Sequence, residues 1–199
     1  MILKSLTKLV TLGVTAVFLT STAQAEWSLV NDSSTLSFVT IKADHVGEVH
    51  TFDLMAGSID DDGTVEIVVE LASVNTLIDI RNERMQNMLF ETSIFPEARI
   101  TGNIDVAAVT AMSTGSTQAM QIPFELDIHG ETNSYNADVL VTRIANGAVA
   151  STVKPILVIA DTHGTVSYTH LRANETRHDL GCRLLLEKKK GGGGGGGGG

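Results

Sequence analysis

The longest clean alternation in the chain sets Met120, Ile122, Phe124, Leu126 and Ile128 against Gln121, Pro123, Glu125 and Asp127. A two-residue period places every apolar side chain on one face of an extended strand, whereas a helix repeats its apolar face every 3.6 residues. The same period returns along the chain. Val65, Ile67, Val69 and Leu71 share a face, as do Ala98, Ile100, Gly102 and Ile104, and then Tyr135, Ala137, Val139 and Val141. Leu36 pairs with Phe38 in this sense, His50 with Phe52 and Leu54, and a last run covers Ala148 to Ile159. Turn chemistry separates the runs, at Asp60-Asp61-Asp62-Gly63 and from His129-Gly130 to Asn133. Short strands at this spacing predict an all-β antiparallel barrel or sandwich.

One segment departs from that period. Met85, Met88 and Leu89 fall at i, i+3 and i+4, which predicts a short helix from Asn82 to Phe90. Asn82 is the expected N-cap, with Glu83 in the first turn, and Pro96 blocks a long continuation.

The two ends differ from this body. Lys4 and Lys8, an apolar run from Leu9 to Leu19 and Ala23-Gln24-Ala25 read as a secretory signal over residues 1–25, with cleavage before Glu26. The run is short for a transmembrane helix, and the expected location is the periplasm. After Gly164 the composition turns basic and ends in nine glycines, Gly191 to Gly199. A disordered basic tail with a flexible linker is one reading. The other is that Val166–Ala173 and Cys182–Lys190 resemble translated sequencing-adapter sequence running into poly-A. Residues 165–199 are then a non-native, disordered appendage, which resequencing the locus would test.

Charge follows from this division. The whole chain carries a net −9, from 14 Lys and Arg against 23 Asp and Glu. Residues 26–164 hold six basic and 20 acidic residues, a balance of −14. Such a body excludes nucleic-acid binding through a basic face and disfavours anionic headgroups. The lone Cys, Cys182, lies in the tail, so no disulfide framework or cysteine-based zinc cluster is expected.

Several motifs in order carry a family resemblance. Trp27 is followed by Leu36-Ser37-Phe38, Val49-His50-Thr51-Phe52 and Gly57-Ser58-Ile59. Leu71-Ala72-Ser73-Val74-Asn75-Thr76 and Arg81-Asn82-Glu83-Arg84-Met85 come next, then Leu89-Phe90, Phe95-Pro96-Glu97-Ala98 and Phe124–Gly130. Together they resemble the YceI-like lipid/polyisoprenoid-binding family over residues 26–164. The resemblance implies a lipocalin-like, extended antiparallel β-barrel of about eight strands with one short helix, its tunnel holding a polyisoprenoid or similar amphiphilic lipid. Relatives continue past the segment matching Ile159-Ala160-Asp161 into a final strand. The adapter-like tail stands in its place, so the chain is expected to lack its closing strand.

The resemblance makes Phe38, Phe52, Leu54, Met85, Met88, Leu89, Phe90, Phe95, Phe124, Leu126 and Ile128 candidate lining residues. Alternation alone fits a dry core equally well. Arg81 and Arg84 flank the expected helix start and could meet a ligand headgroup or pair with neighbouring acids. His45, His50, His129 and His163 do not converge by spacing, so no metal is expected, and no cofactor either. No Gly-x-Ser-x-Gly elbow and no glycine-rich phosphate loop occurs, so no catalytic residue is assigned. The expected partner is the lipid itself. Rival roles are delivery of quinone or lipid to a membrane redox protein and a dry-core envelope stress or scaffold protein; a homodimer is also open.

Overall fold

The computed structural model describes residues 27–42, 46–165 and 178–188. The expected signal segment, residues 1–25, lies outside them, as do residues 166–177 and 189–199 of the tail. Among the described residues, twelve strands form one antiparallel sheet. They are β1 (Trp27–Leu29), β2 (Thr35–Lys42), β3 (Val46–Phe52), β4 (Met55–Ile59), β5 (Thr64–Glu70) and β6 (Val74–Asn75), followed by β7 (Glu97–Asn103), β8 (Thr117–Ile128), β9 (Glu131–Ile144), β10 (Gly147–Thr152), β11 (Ile156–Val158) and β12 (His178–Lys188).

The register reduces these to fewer paths. β1 and β2 both pair with β12, through Trp27↔Lys188 and then Phe38↔Leu180, so they run in line along it. On the other side of β12, β10 and β11 also run in line. β3 pairs with β2 and β6, while β4 pairs with β1 and β5, so β3 continues into β4 and β5 into β6 as neighbouring paths. Eight paths therefore follow one another in chain order, and β12 meets the first of them. This is an up-and-down barrel, in which closure leaves few unpaired edges.

β12 corrects one expectation. The sequence leaves the barrel without its closing strand, but His178–Lys188 fills that place between β10–β11 and β1–β2. Leu184 and Leu186 alternate inward and satisfy the period-2 requirement of a wall strand. Any segment able to extend and supply that alternation completes the ladder, because strand pairing is made by backbone groups.

Local chemistry sets the turns. His129 and Gly130 both take positive φ, 59° and 77°, joining β8 to β9 in a two-residue hairpin whose twist matches the strands. Gly63, with φ 89°, ends the acidic turn between β4 and β5, where Asp62 Oδ1 accepts the Thr64 N–H. That bond holds the Asp62 carboxyl below the usual carboxylate range.

The helical segment starts earlier than its sequence indicates. α1 covers Asp79–Arg84 and runs into a π-helical turn, Met85–Leu89. Asn82 is not its N-cap. Its Oδ1 instead accepts the Thr76 N–H at 2.8 Å and the Thr76 hydroxyl at 2.6 Å, tying the preceding loop to the helix. A second helix, α2 (Val106–Ala111), was not foreseen; Asp105 caps it, accepting the Ala108 N–H at 2.8 Å.

The interior holds two apolar clusters. One centres on Leu36, Phe38, Phe52, Val69, Leu71, Leu89 and Phe90, and the other on Trp27, Ile59, Val109, Val139, Val141 and Ala148.

Candidate functional site

Inward-facing side chains of the eight paths leave space between them. One cavity, of about 70 Å³, is lined by Leu36, Phe38, Phe52, Leu89, Phe90, Leu126 and Ile128, among others. A second, of about 150 Å³, is lined by Trp27, Val106, Val109, Phe124, Ala137, Val139, Ala148 and Leu184, among others. They lie end to end. Along β5 the lining passes from Val65 and Ile67 in the larger cavity to Val69 in the smaller. Along β8 it passes from Met120, Ile122 and Phe124 to Leu126 and Ile128, and Ile100 lines both. The two cavities meet at Ile100 and together make up the apolar axial space, the tunnel of the barrel. Almost all its wall is hydrocarbon, which suits a slender apolar chain and offers no charged anchor along its length.

Each end has its own closure. α2 covers the larger cavity, placing Val106 and Val109 against it. Trp27 lies in the same wall, with the Arg143 guanidinium 5.3 Å from its ring centroid. The buried Trp27 Nε1 has no hydrogen-bond partner among the described residues. At the smaller cavity, the π-helical turn brings two consecutive side chains, Leu89 and Phe90, to the interior. Phe90 N–H bonds Met85 O at 2.9 Å, an i to i+5 link that shifts the helix face by one residue. His163 closes the opposite side of that end. Its Nδ1–H donates to Glu131 O at 2.9 Å, and its Nε2 accepts the Tyr135 hydroxyl at 2.8 Å. Both ring nitrogens are engaged, so the histidine is a fixed wall element that leaves the cavity apolar.

Of the eleven candidate lining residues, Phe38, Phe52, Leu89, Phe90, Phe124, Leu126 and Ile128 line the tunnel. Met85 is buried in the adjoining core. Phe95 packs on His129 at 4.0 Å between ring centroids, beside the β8–β9 hairpin. Leu54 and Met88, expected to line the tunnel, point outward instead. Leu54 is 50% exposed because β3 ends at Phe52, and the alternation does not survive the break before β4. Met88 is 37% exposed because the π-helical turn rotates Phe90 inward in its stead. Arg81 and Arg84 also part company. Arg81 is tied to Glu48 at 2.7 Å, while Arg84 is exposed and has no ion pair among the described residues.

Sequence reasoning missed Trp27, Val106, Val109 and His163 as wall residues. The signal for α2 was present, in Asp105 as a cap followed by Val106 and Val109 at helical spacing. Nothing local marks Trp27 or His163, which reach the tunnel only through the closed topology. His50 is buried and hydrogen-bonded to Thr40 Oγ1 at 2.9 Å. Among the described residues no three His, Cys, Asp or Glu side chains gather as a metal site would require. No described helix is long and apolar enough to cross a membrane.

A closed antiparallel barrel with an apolar axial cavity has the shape and lining that enclose a slender apolar molecule. The YceI-like domain family matches residues 27–175, well over half of the chain, and the chain belongs to that family. A polyisoprenoid-binding domain from Saccharophagus degradans, implicated in plant cell wall breakdown, is similar in structure. It is 30% identical, with a TM-score of 0.78, over 83% of this chain and 100% of the other. Burkholderia cenocepacia BcnA shares the fold at 14% identity and a TM-score of 0.62, over 79% of this chain and 98% of that one. No curated protein matches the sequence.

Proposed function

We propose that this protein binds and sequesters, or carries, a polyisoprenoid or similar amphiphilic lipid along its barrel axis, and that it acts without catalysis. The observation that carries this is the pair of apolar cavities aligned end to end. Each methylene taken from water into such a wall contributes about 0.8 kcal/mol, so a long chain gains affinity with no charged anchor. The polyisoprenoid-binding relative, 30% identical across its whole length, supports the ligand class. In this reading Phe38, Phe52, Leu89, Phe90, Phe124, Leu126 and Ile128 contact the chain. Neither arginine lines the tunnel: Glu48 already occupies Arg81, and Arg84 is exposed, so no contact with a ligand headgroup is assigned to them.

Residues 1–25 support export to the periplasm, and the domain proper runs from Glu26 to about Gly164. On its sequence, the stretch from about Thr165 remains an adapter-like appendage, although part of it pairs into the barrel. The aligned cavities argue against the dry-core scaffold. No feature of the described residues favours hand-off to a redox protein or a homodimer.

Native mass spectrometry tests the proposal. The full chain, incubated with a total membrane lipid extract, should retain one molecule per protein from an isoprenoid mass series. Retention of no lipid would overturn it.

A further inference from the structure

The outer side of the segment that closes the smaller cavity is unusual. Leu77 is 89% exposed, with a left-handed backbone at φ 62° that a leucine adopts only under strain. The strain is held in place by its neighbours. Leu77 N–H donates to Asn75 Oδ1 at 3.0 Å, and Thr76 on one side is buried and bound to Asn82. Ile78 and Ile80 follow, both exposed. Ile80, Arg84 and Met88 recur every four residues and share one outward stripe of the helical segment. Its inner face carries Leu89 and Phe90 into the tunnel wall.

We infer that this stripe is a membrane-docking surface, on which Leu77 and Ile80 enter the outer part of a zwitterionic bilayer while Arg84 meets lipid phosphate. The inference rests on the lipid-binding reading above, and three observations select the bilayer. The segment has one face on the tunnel and the other in solvent, so a surface seated on it adjoins the end of the ligand's path. Leu77 and Ile78 project from a hydrogen-bonded loop and Ile80 from the first turn of α1, beside the exposed Asp79 and Glu83, an aliphatic tip suited to insertion among acyl chains. Arg84 has no carboxylate partner among the described residues and complements a phosphate, whereas the −14 body disfavours a strongly anionic surface.

Co-flotation of the full chain with phosphatidylcholine vesicles tests this. Leu77→Gly removes the side chain and suits the positive φ, so its melting temperature should not fall. Its vesicle partition should drop about tenfold or more, and Ile80→Ser should act in the same direction. Leu140→Ser removes an exposed leucine from β9, at the level of the larger cavity and away from the segment that closes the smaller one, and should leave partition unchanged. Absence of flotation by the parent chain, or equal losses for Leu77→Gly and Leu140→Ser, would overturn the inference. Polyprenol binding without vesicles should be unaffected by Leu77→Gly; if the parent chain binds none, the lipid-binding reading fails separately from the docking result.

Discussion

Gly63 shows how narrowly a single residue can be fixed in this barrel. At φ 89° it closes the β4–β5 turn, and its carbonyl accepts the Ile104 N–H at 2.9 Å. A Cβ added there would stand 2.0 Å from the Ile104 carbonyl oxygen, which is backbone and cannot swing aside. Two costs therefore coincide, the left-handed conformation and the clash. Gly63→Ala should destabilise the fold by on the order of 1–3 kcal/mol, read as a lower urea midpoint with an unchanged slope. An unshifted midpoint would mean that the turn relaxes away from Ile104. Gly115, whose φ of 86° is similar, has open space around the same position, so only the conformational cost applies there.

At the scale of elements, β12 decides whether the barrel is a barrel. It is the one path that touches both the first strand pair and the last, through β1, β2, β10 and β11. A chain ending at Thr165 should lose those ladders, expose the edges of β2 and β10, and melt without a cooperative transition or aggregate. Cooperative melting of that shortened chain, followed by circular dichroism, would show that β12 is dispensable.

Most other elements were legible because they obey a local rule. The alternations of β5, β7, β8 and β9 name their inward residues, and His129-Gly130 names its turn. Leu54 and Met88 failed where a local period is broken by something the period does not contain, a strand end in one case and a π-helical turn in the other. Trp27 and His163 were invisible as wall residues for a different reason. Each sits in or beside a very short element, and its neighbours across the tunnel come from distant parts of the sequence. β12 is the reverse case: it carries none of the motifs on which the family resemblance rests, yet its residues extend and alternate well enough to pair.

At the scale of the molecule, charge and cavity lie on opposite faces of the same strands. The acidic side chains of residues 26–164 sit in the turns and on the outer face of strands, as Glu66, Glu70 and Glu97 do on β5 and β7, and the apolar ones enclose the tunnel. Outward charge favours solubility, and the inward surface carries no charged side chain; its few polar groups include His163, whose ring nitrogens are hydrogen-bonded, and the indole N–H of Trp27. The chain's one tryptophan, Trp27, is in the tunnel wall, so intrinsic fluorescence reports directly on what enters.

That makes the central claim accessible to one titration. Geranylgeraniol added to the full chain should change Trp27 emission and saturate at one molecule per protein. Ala137 and Ala148 both line the larger cavity, and a phenylalanine at either fills it from the wall. Ala137→Phe or Ala148→Phe should weaken the alcohol's binding at least tenfold while the variant still melts cooperatively. Folded variants that bind geranylgeraniol as tightly as the parent chain would place the ligand outside the tunnel and contradict the account.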